Sequence, residues 1–342
     1  MGKPFLLFFI LLFFVFSCSE PKKVSNAFYY WKTVFNLDEK ERSILKEHHI
    51  NRLYLRMFDV DWNAEKAEAL PVAHISFNDS FPAEVEIVPV IYITNKTMEK
   101  ISGKEVDRLA ENMLALTGRL MAKQKATYRE IQLDCDWTVS TKEKYFELIR
   151  QVKKRSAKQV SATIRLHQVK FPERTGVPPV DRGMLMFYNM GKLEETEHRN
   201  SIFNKEDAAK YVESLEKYTL QMDVALPVFS WGVKLRGRKV KSLLNNLSLQ
   251  DAESSVRKAG FRKLNDHVFI ADSGFFFRGE YFLPGERLSM EEITPQICKE
   301  AAEMLRPYQK TTNFSLALYH FDSSVFNRYK PQELEEIYSS FN

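Results

Sequence analysis

The feature that most constrains this chain is an alternation repeated eight times. A short run rich in β-branched and aromatic residues is followed by a charged stretch whose apolar residues fall at helical spacing. The runs are AFYYWKT (27–33), RLYLRMFDVDW (52–62), EIVPVIYIT (86–94), EIQLDCDWT (130–138), SATIRLHQV (161–169), GMLMFYNMG (183–191), DVALPVFSWGV (223–233) and FSLALYHFD (314–322). Between most of them lie amphipathic segments such as DEKERSILKEHH (38–49), KEVDRLAENMLALTGRLMAKQ (104–124), TKEKYFELIRQVKKRSA (141–157) and KEDAAKYVESLEKYTL (205–220). Strands joined through helices pair in parallel, because each helix returns the chain to the edge it left, and eight such units favour closure into a (β/α)8 TIM barrel. An open doubly wound sheet is the alternative, but no Gly-rich phosphate loop follows the first strand.

The interval between the last two runs is too long for one crossover. Residues 236–288 hold a helix-like SLQDAESSVRKAGF and an aromatic run, HVFIADSGFFFRGEYF, before MEEITPQICKEAAEMLRPY resumes helical spacing near residue 290. The expectation is an α/β barrel over 27–342 with a small α+β insertion at 236–288, after strand 7, outside the barrel sheet and without a core of its own.

The N-terminus is of another kind. MGKPFLLFFILLFFVFSCSEPKK carries one basic residue, an apolar run from Phe5 to Phe16, then Ser17 and Cys18. Residues 1–17 are expected to be a signal peptide, too short and wrongly flanked for a stable membrane span. The stretch VFSC resembles the bacterial lipoprotein signal, which implies lipidation of Cys18, a polar tether over 18–26, and a protein held to the cell envelope, at the outer membrane, by its N-terminal lipid. The other two cysteines, Cys135 and Cys298, are unpatterned, which argues against a disulfide framework and against zinc. The 50 basic and 45 acidic residues form no dominant block, so nothing points to nucleic acid. The His and Asp spacing lacks a metal-ligand pattern, and no cofactor is expected.

In such barrels the C-terminal ends of the strands form the active face. The polar residues there are Tyr30, Trp31, Arg56, Asp59, Asp61, Tyr92, Asp134, Asp136, Arg165, His167, Tyr188, Asn189, Trp231, Tyr319, His320 and Asp322. Residues two apart on a strand share a face. Asp134 and Asp136 are thus expected to point together into the barrel, as are Arg165 and His167, with Arg165 as the cation that lets two carboxylates coexist. A lone strand-end aspartate is more often a helix cap than a catalyst. Two beside an Arg/His pair and several aromatics favour a site. Met184, Met186 and Met190 read as core or wall, and Tyr92 as core.

These residues carry a resemblance. LDCDWT resembles the fourth-strand signature of the family-18 glycoside hydrolases, the chitinase-like group, which reads Asp-x-x-Asp-x-Asp-x-Glu. Its second and third aspartates fall on Asp134 and Asp136, its first on Ile131, and its glutamic acid on Thr138. MFYN (186–189) is similar to that family's Met-x-Tyr-Asp, with Asn189 in place of the aspartate, and ALPVFSWG (225–232) to its Gly-x-Pro-x-Tyr-Gly. The chain is also similar to a group of bacterial barrel lipoproteins, a likeness that implies no activity.

The family resemblance implies that Asp134 and Asp136 are the catalytic pair, Asp136 stabilising the reacting ring and Tyr188 holding an acetamido group. It leaves no proton donor, because a threonine hydroxyl is too weakly acidic to replace a carboxylic acid, and general acid help is worth ~10²–10⁴ in rate. The first reading is therefore a glycan-recognising lipoprotein of doubtful hydrolytic competence. Its glycan would be held by Tyr30, Trp31, Trp137, Arg165, His167, Tyr188, Asn189, Trp231, Tyr319 and Asp322. A second is a divergent hydrolase whose acid is Asp322, Asp59, Asp61 or Glu280. A third is a protein-binding scaffold using the aromatic FFFRGEYF segment.

Overall fold

The computed structural model describes residues 22–193 and 199–341. Eight parallel strands form a closed barrel: β1 (Lys23–Tyr30), β2 (Arg52–Asn63), β3 (Glu86–Ile93), β4 (Glu130–Asp134), β5 (Gln159–Arg165), β6 (Arg182–Met186), β7 (Met222–Pro227) and β8 (Asn313–Tyr319). Closure comes from β1, which pairs with β2 on one side (Ala27 opposite Arg52) and with β8 on the other (Lys23 opposite Asn313). Helices follow most strands, among them Glu39–Glu47, Val106–Lys123, Lys142–Ser156, Lys205–Val212, Pro295–Leu305 and Pro331–Ser339. The β2–β3 connection is the exception. There β2 runs on past the barrel and pairs antiparallel with Glu68–Val72, and no helix forms over 64–85.

The alternation along β4 shows why the barrel holds polar side chains. Ile131 and Leu133 face the helices, so Glu130, Gln132 and Asp134 face inward, each nearly or fully buried. Each has partners from neighbouring strands. Glu130 accepts from Ser161 Oγ (2.5 Å) and pairs with Arg52 (3.3 Å). Gln132 takes the Tyr29 hydroxyl (2.5 Å) and gives its amide to Ser161 (3.2 Å). Asp134 accepts from Thr163 Oγ1 (2.6 Å) and Arg165 (3.1 Å). A buried polar group without such a partner would cost the fold heavily.

The chain leaves β7 at Pro227 and enters an antiparallel sheet of five strands, in the order Lys239–Asn245, Ser230–Arg236, Arg287–Glu292, Val268–Ala271 and Phe261–Lys263. The expected 236–288 limits fall inside this sheet, because its first and last strands run straight out of and back into the barrel. The insertion also has a core of its own, built on Phe261, Phe269, Phe282, Leu288 and Met290, contrary to expectation. The cause is legible afterwards: Phe261 meets Phe275, Phe277 and Phe282 edge-on at 4.7–5.4 Å, so the aromatic run packs around the phenylalanine that follows the insertion's helix.

Strand ends differ from the sequence reading for one repeated reason. β1 begins at Lys23, inside the expected tether, since its first residues pair with β8 while staying partly exposed and so lack an apolar signature. β4, β5 and β6 stop at Asp134, Arg165 and Met186, four or five residues earlier than their runs suggested, because the apolar residues beyond them pack in loops and in the short helix Leu166–Lys170. Residues 1–17 and Cys18 lie outside the described residues.

Candidate functional site

The C-terminal mouth of the barrel opens into a cleft of about 520 Å³. β4 and β5 supply Asp134 and Arg165, β2 supplies Arg56 and Asp59, and the end of β3 supplies Tyr92. Trp31 follows β1, Tyr188 and Asn189 follow β6, and Tyr319 and His320 come from β8 and the residue after it. The insertion adds Ser230, Trp231, Asn245 and Asn246.

Two ion pairs set the electrostatics. Arg165 donates to Asp134, whose side chain is 5 % exposed. Burial works most strongly against the Arg165 charge, but Asp134 together with Tyr188, Asp136 and Tyr319 more than offsets it, so the guanidinium is held above its usual range. Arg56 grips Asp59 through both carboxylate oxygens, Nε to Oδ1 at 2.7 Å and Nη2 to Oδ2. Arg56 also lies 5.8 Å over the Trp31 ring. Burial pushes the phenols of Tyr92, Tyr188 and Tyr319 up, which leaves each a neutral hydroxyl donor at ordinary pH.

The aromatic residues form a continuous wall. Trp31 packs on Tyr319 (5.7 Å), Tyr319 stacks on Tyr188 (5.3 Å, 26°) and touches Phe229 (5.9 Å), and Phe229 meets Trp231 (5.2 Å). Trp231 is fixed from behind: its Nε1 donates to Glu291 Oε2 (2.8 Å), which also accepts from the Ser201 hydroxyl (2.5 Å) and amide (3.1 Å). Asn189 sits at φ 56°, a left-handed conformation that asparagine tolerates, with its N–H on Ile202 O (2.8 Å).

Of the residues expected to bind, Trp31, Asp134, Arg165, Tyr188, Asn189, Trp231 and Tyr319 line this cleft. Others do not. Asp134 and Asp136 do not share a face, because β4 ends between them; Asp136 is exposed and lines a side hollow of about 290 Å³ with His167, 3.7 Å away. His167 falls in the helix Leu166–Lys170, so it does not follow Arg165 into the barrel, although Arg165, Tyr188 and Asn189 border both spaces. Trp137 is fully buried, stacked on Tyr145 with its Nε1 on Thr175 O (2.9 Å), and is core. Tyr30 points away from the barrel axis, its hydroxyl donating to Val34 O (2.8 Å) and accepting from Asn36 N (3.0 Å). Asp322 turns outward to Lys32 (3.2 Å) and Ser324 N (2.9 Å).

Thr138 is exposed at the head of the helix Lys142–Ser156, bonded to Ser140 and Thr141, and does not line the cleft. Of the alternative acids, Asp59 reaches the mouth. Asp61 binds Thr94 (2.8 Å) and Glu280 binds Lys234 (3.2 Å), neither in the cleft. Tyr92, expected in the core, lines the site. Glu291, which holds the Trp231 indole from behind the cleft, escaped notice, since only antiparallel pairing brings it opposite Trp231.

No family model matches the sequence, and a search of curated proteins by sequence finds no match. Solved structures do match. The spore cortex-lytic enzyme SleL of Bacillus cereus superposes with a TM-score of 0.54 at 13 % identity, over 94 % of this chain and 75 % of that one. The chain has the barrel fold of the family-18 chitinases. One of these, from Cycas revoluta and solved in complex with (GlcNAc)4, gives a TM-score of 0.52 at 12 % identity over 93 % and 99 % of the two chains. A chitinase-like agglutinin from Robinia pseudoacacia gives 0.52 at 10 % identity over 92 % and 99 %.

Proposed function

We propose that the protein is a glycan-recognising barrel whose mouth binds an N-acetylated oligosaccharide and whose hydrolytic activity is weak or absent. The observation that carries this reading is the composition of the cleft. Flat aromatic faces from Trp31 to Trp231 alternate with the Asp134–Arg165 and Asp59–Arg56 pairs, a mix of apolar surface and fixed polar groups suited to pyranose rings. Both carboxylates of the cleft already accept hydrogen bonds from a guanidinium, which commits each to an arginine instead of a leaving-group oxygen. The printed ligand of the Cycas chitinase, a GlcNAc tetramer, guides the choice of probe.

The test is titration calorimetry with the GlcNAc tetramer, alongside mass analysis of the incubated sugar. The expected outcome is saturable binding, weakened at least tenfold by Trp31→Ala, with the tetramer intact. Cleavage lost in Asp134→Asn would favour the second reading, a divergent hydrolase, for which the inward position of Asp134 at the end of β4 and the presence of Asp59 in the same cleft speak. Absence of binding would overturn the glycan reading. Attachment to the cell envelope through a lipid on Cys18 is part of the proposal and rests on the VFSC stretch alone. Cys18→Ala is expected to abolish palmitate labelling, and unchanged labelling would remove the anchor from the account.

A further inference from the structure

Two polar atoms at the mouth are left over by the protein's own hydrogen bonding. Ser230 opens the first strand of the insertion and His320 follows β8, and both line the cleft. Ser230 is 2 % exposed. Its Oγ and the Nδ1 of His320 are enclosed, and neither bonds to any described residue. The segments that carry them are joined at the root, where Val228 N donates to Tyr319 O (2.9 Å), and Asn246 N closes over Ser230 O (3.1 Å). Buried polar groups without partners are uncommon in native proteins, and two on adjoining segments of one cleft call for an occupant.

We propose that Ser230 Oγ and His320 Nδ1 together take one hydroxyl of a neutral sugar ring on the β7–β8 side of the cleft, a subsite that rests on the glycan reading above. A serine hydroxyl both donates and accepts, and Nδ1 of a neutral imidazole does one or the other according to tautomer. A sugar hydroxyl has the same double capacity and satisfies both atoms at once. His320 is kept neutral chiefly by its burial, with Lys32 acting the same way and Asp322 opposing it. A methyl group would leave both atoms unpaired. A ligand carboxylate would bring a third acid to a mouth that already holds Asp59 and Asp134. Phe229, Trp231 and Tyr319, neighbours in sequence of Ser230 and His320, line the same cleft and offer aromatic surface to the ring.

The test is Ser230→Ala, read by calorimetry with the GlcNAc tetramer and by thermal unfolding. The free protein loses no hydrogen bond in this variant, so its melting midpoint stays the same or rises, whereas Kd for the tetramer increases about five- to tenfold, as for one lost hydrogen bond. His320→Ala is expected to weaken binding to a similar degree. If that variant is unstable, Ser230→Ala decides alone. Unchanged Kd in Ser230→Ala, with the wild type binding normally, overturns the subsite and leaves the pair as a water site. Failure of the wild type to bind any tetramer brings down the glycan reading and the subsite with it.

Discussion

Asp134 and Asp223 lie at opposite ends of the barrel interior, and each faces an arginine, yet their settings differ. Asp134 is at the mouth, within reach of ligand and of Arg165. Asp223 is at the base, where it accepts from Ser315 N (2.7 Å) and Arg182 (3.2 Å) and is closed off from water. Burial outweighs those contacts and pushes its carboxyl up to about 7. An unfolded aspartate titrates near ~3.9, so between these values the folded state holds the extra proton, and stability falls as pH rises through that window. Asp223→Asn keeps an acceptor for Ser315 N and removes the titration. The expected result is that wild-type stability, measured by urea unfolding, drops on the order of 2 kcal/mol between pH 5 and pH 7.5. The variant drops clearly less, with a residual slope of the same sign from Glu130, whose carboxyl burial also raises. Parallel curves would show that Asp223 does not titrate in this range.

At the scale of the element, the position of a strand's last residue decides what its neighbours do. The alternation of EIQLD was legible, and it places Asp134 inward as expected. The end of β4 was not, since Cys135 and Trp137 are as apolar as strand residues but pack under the helix Lys142–Ser156 instead. Extending the alternation two residues too far moved Asp136 to the wrong side, and the same error carried His167 along behind Arg165. Aromatic residues at strand ends look alike whether they face the helices, as Tyr30 does, or the mouth, as Trp31 does; a single residue of register separates the two fates. Asn245 is a piece of the site that no local pattern reveals, because it reaches the mouth only through antiparallel pairing to Trp231, and Glu291, brought opposite Trp231 in the same way, holds that indole from behind.

For the whole molecule, eight alternating units sufficed to indicate closure, and the barrel closes through β1 against β2 and β8. Its fold is shared with proteins at 8–13 % identity, including both enzymes and an agglutinin, so the architecture alone assigns no chemistry. The chemistry of this chain is to be sought at the mouth, where an aromatic wall, two Asp–Arg pairs and an inserted sheet converge on one cleft. The most direct test of that claim is a crystal structure of the protein soaked with the GlcNAc tetramer. The account predicts sugar rings lying against Trp31 and Trp231, with polar contacts to Asp134, Arg165 and the Ser230–His320 corner. Tetramer bound instead in the groove between the Glu68–Val72 strand and the helix Val106–Lys123, with the mouth empty, would contradict it.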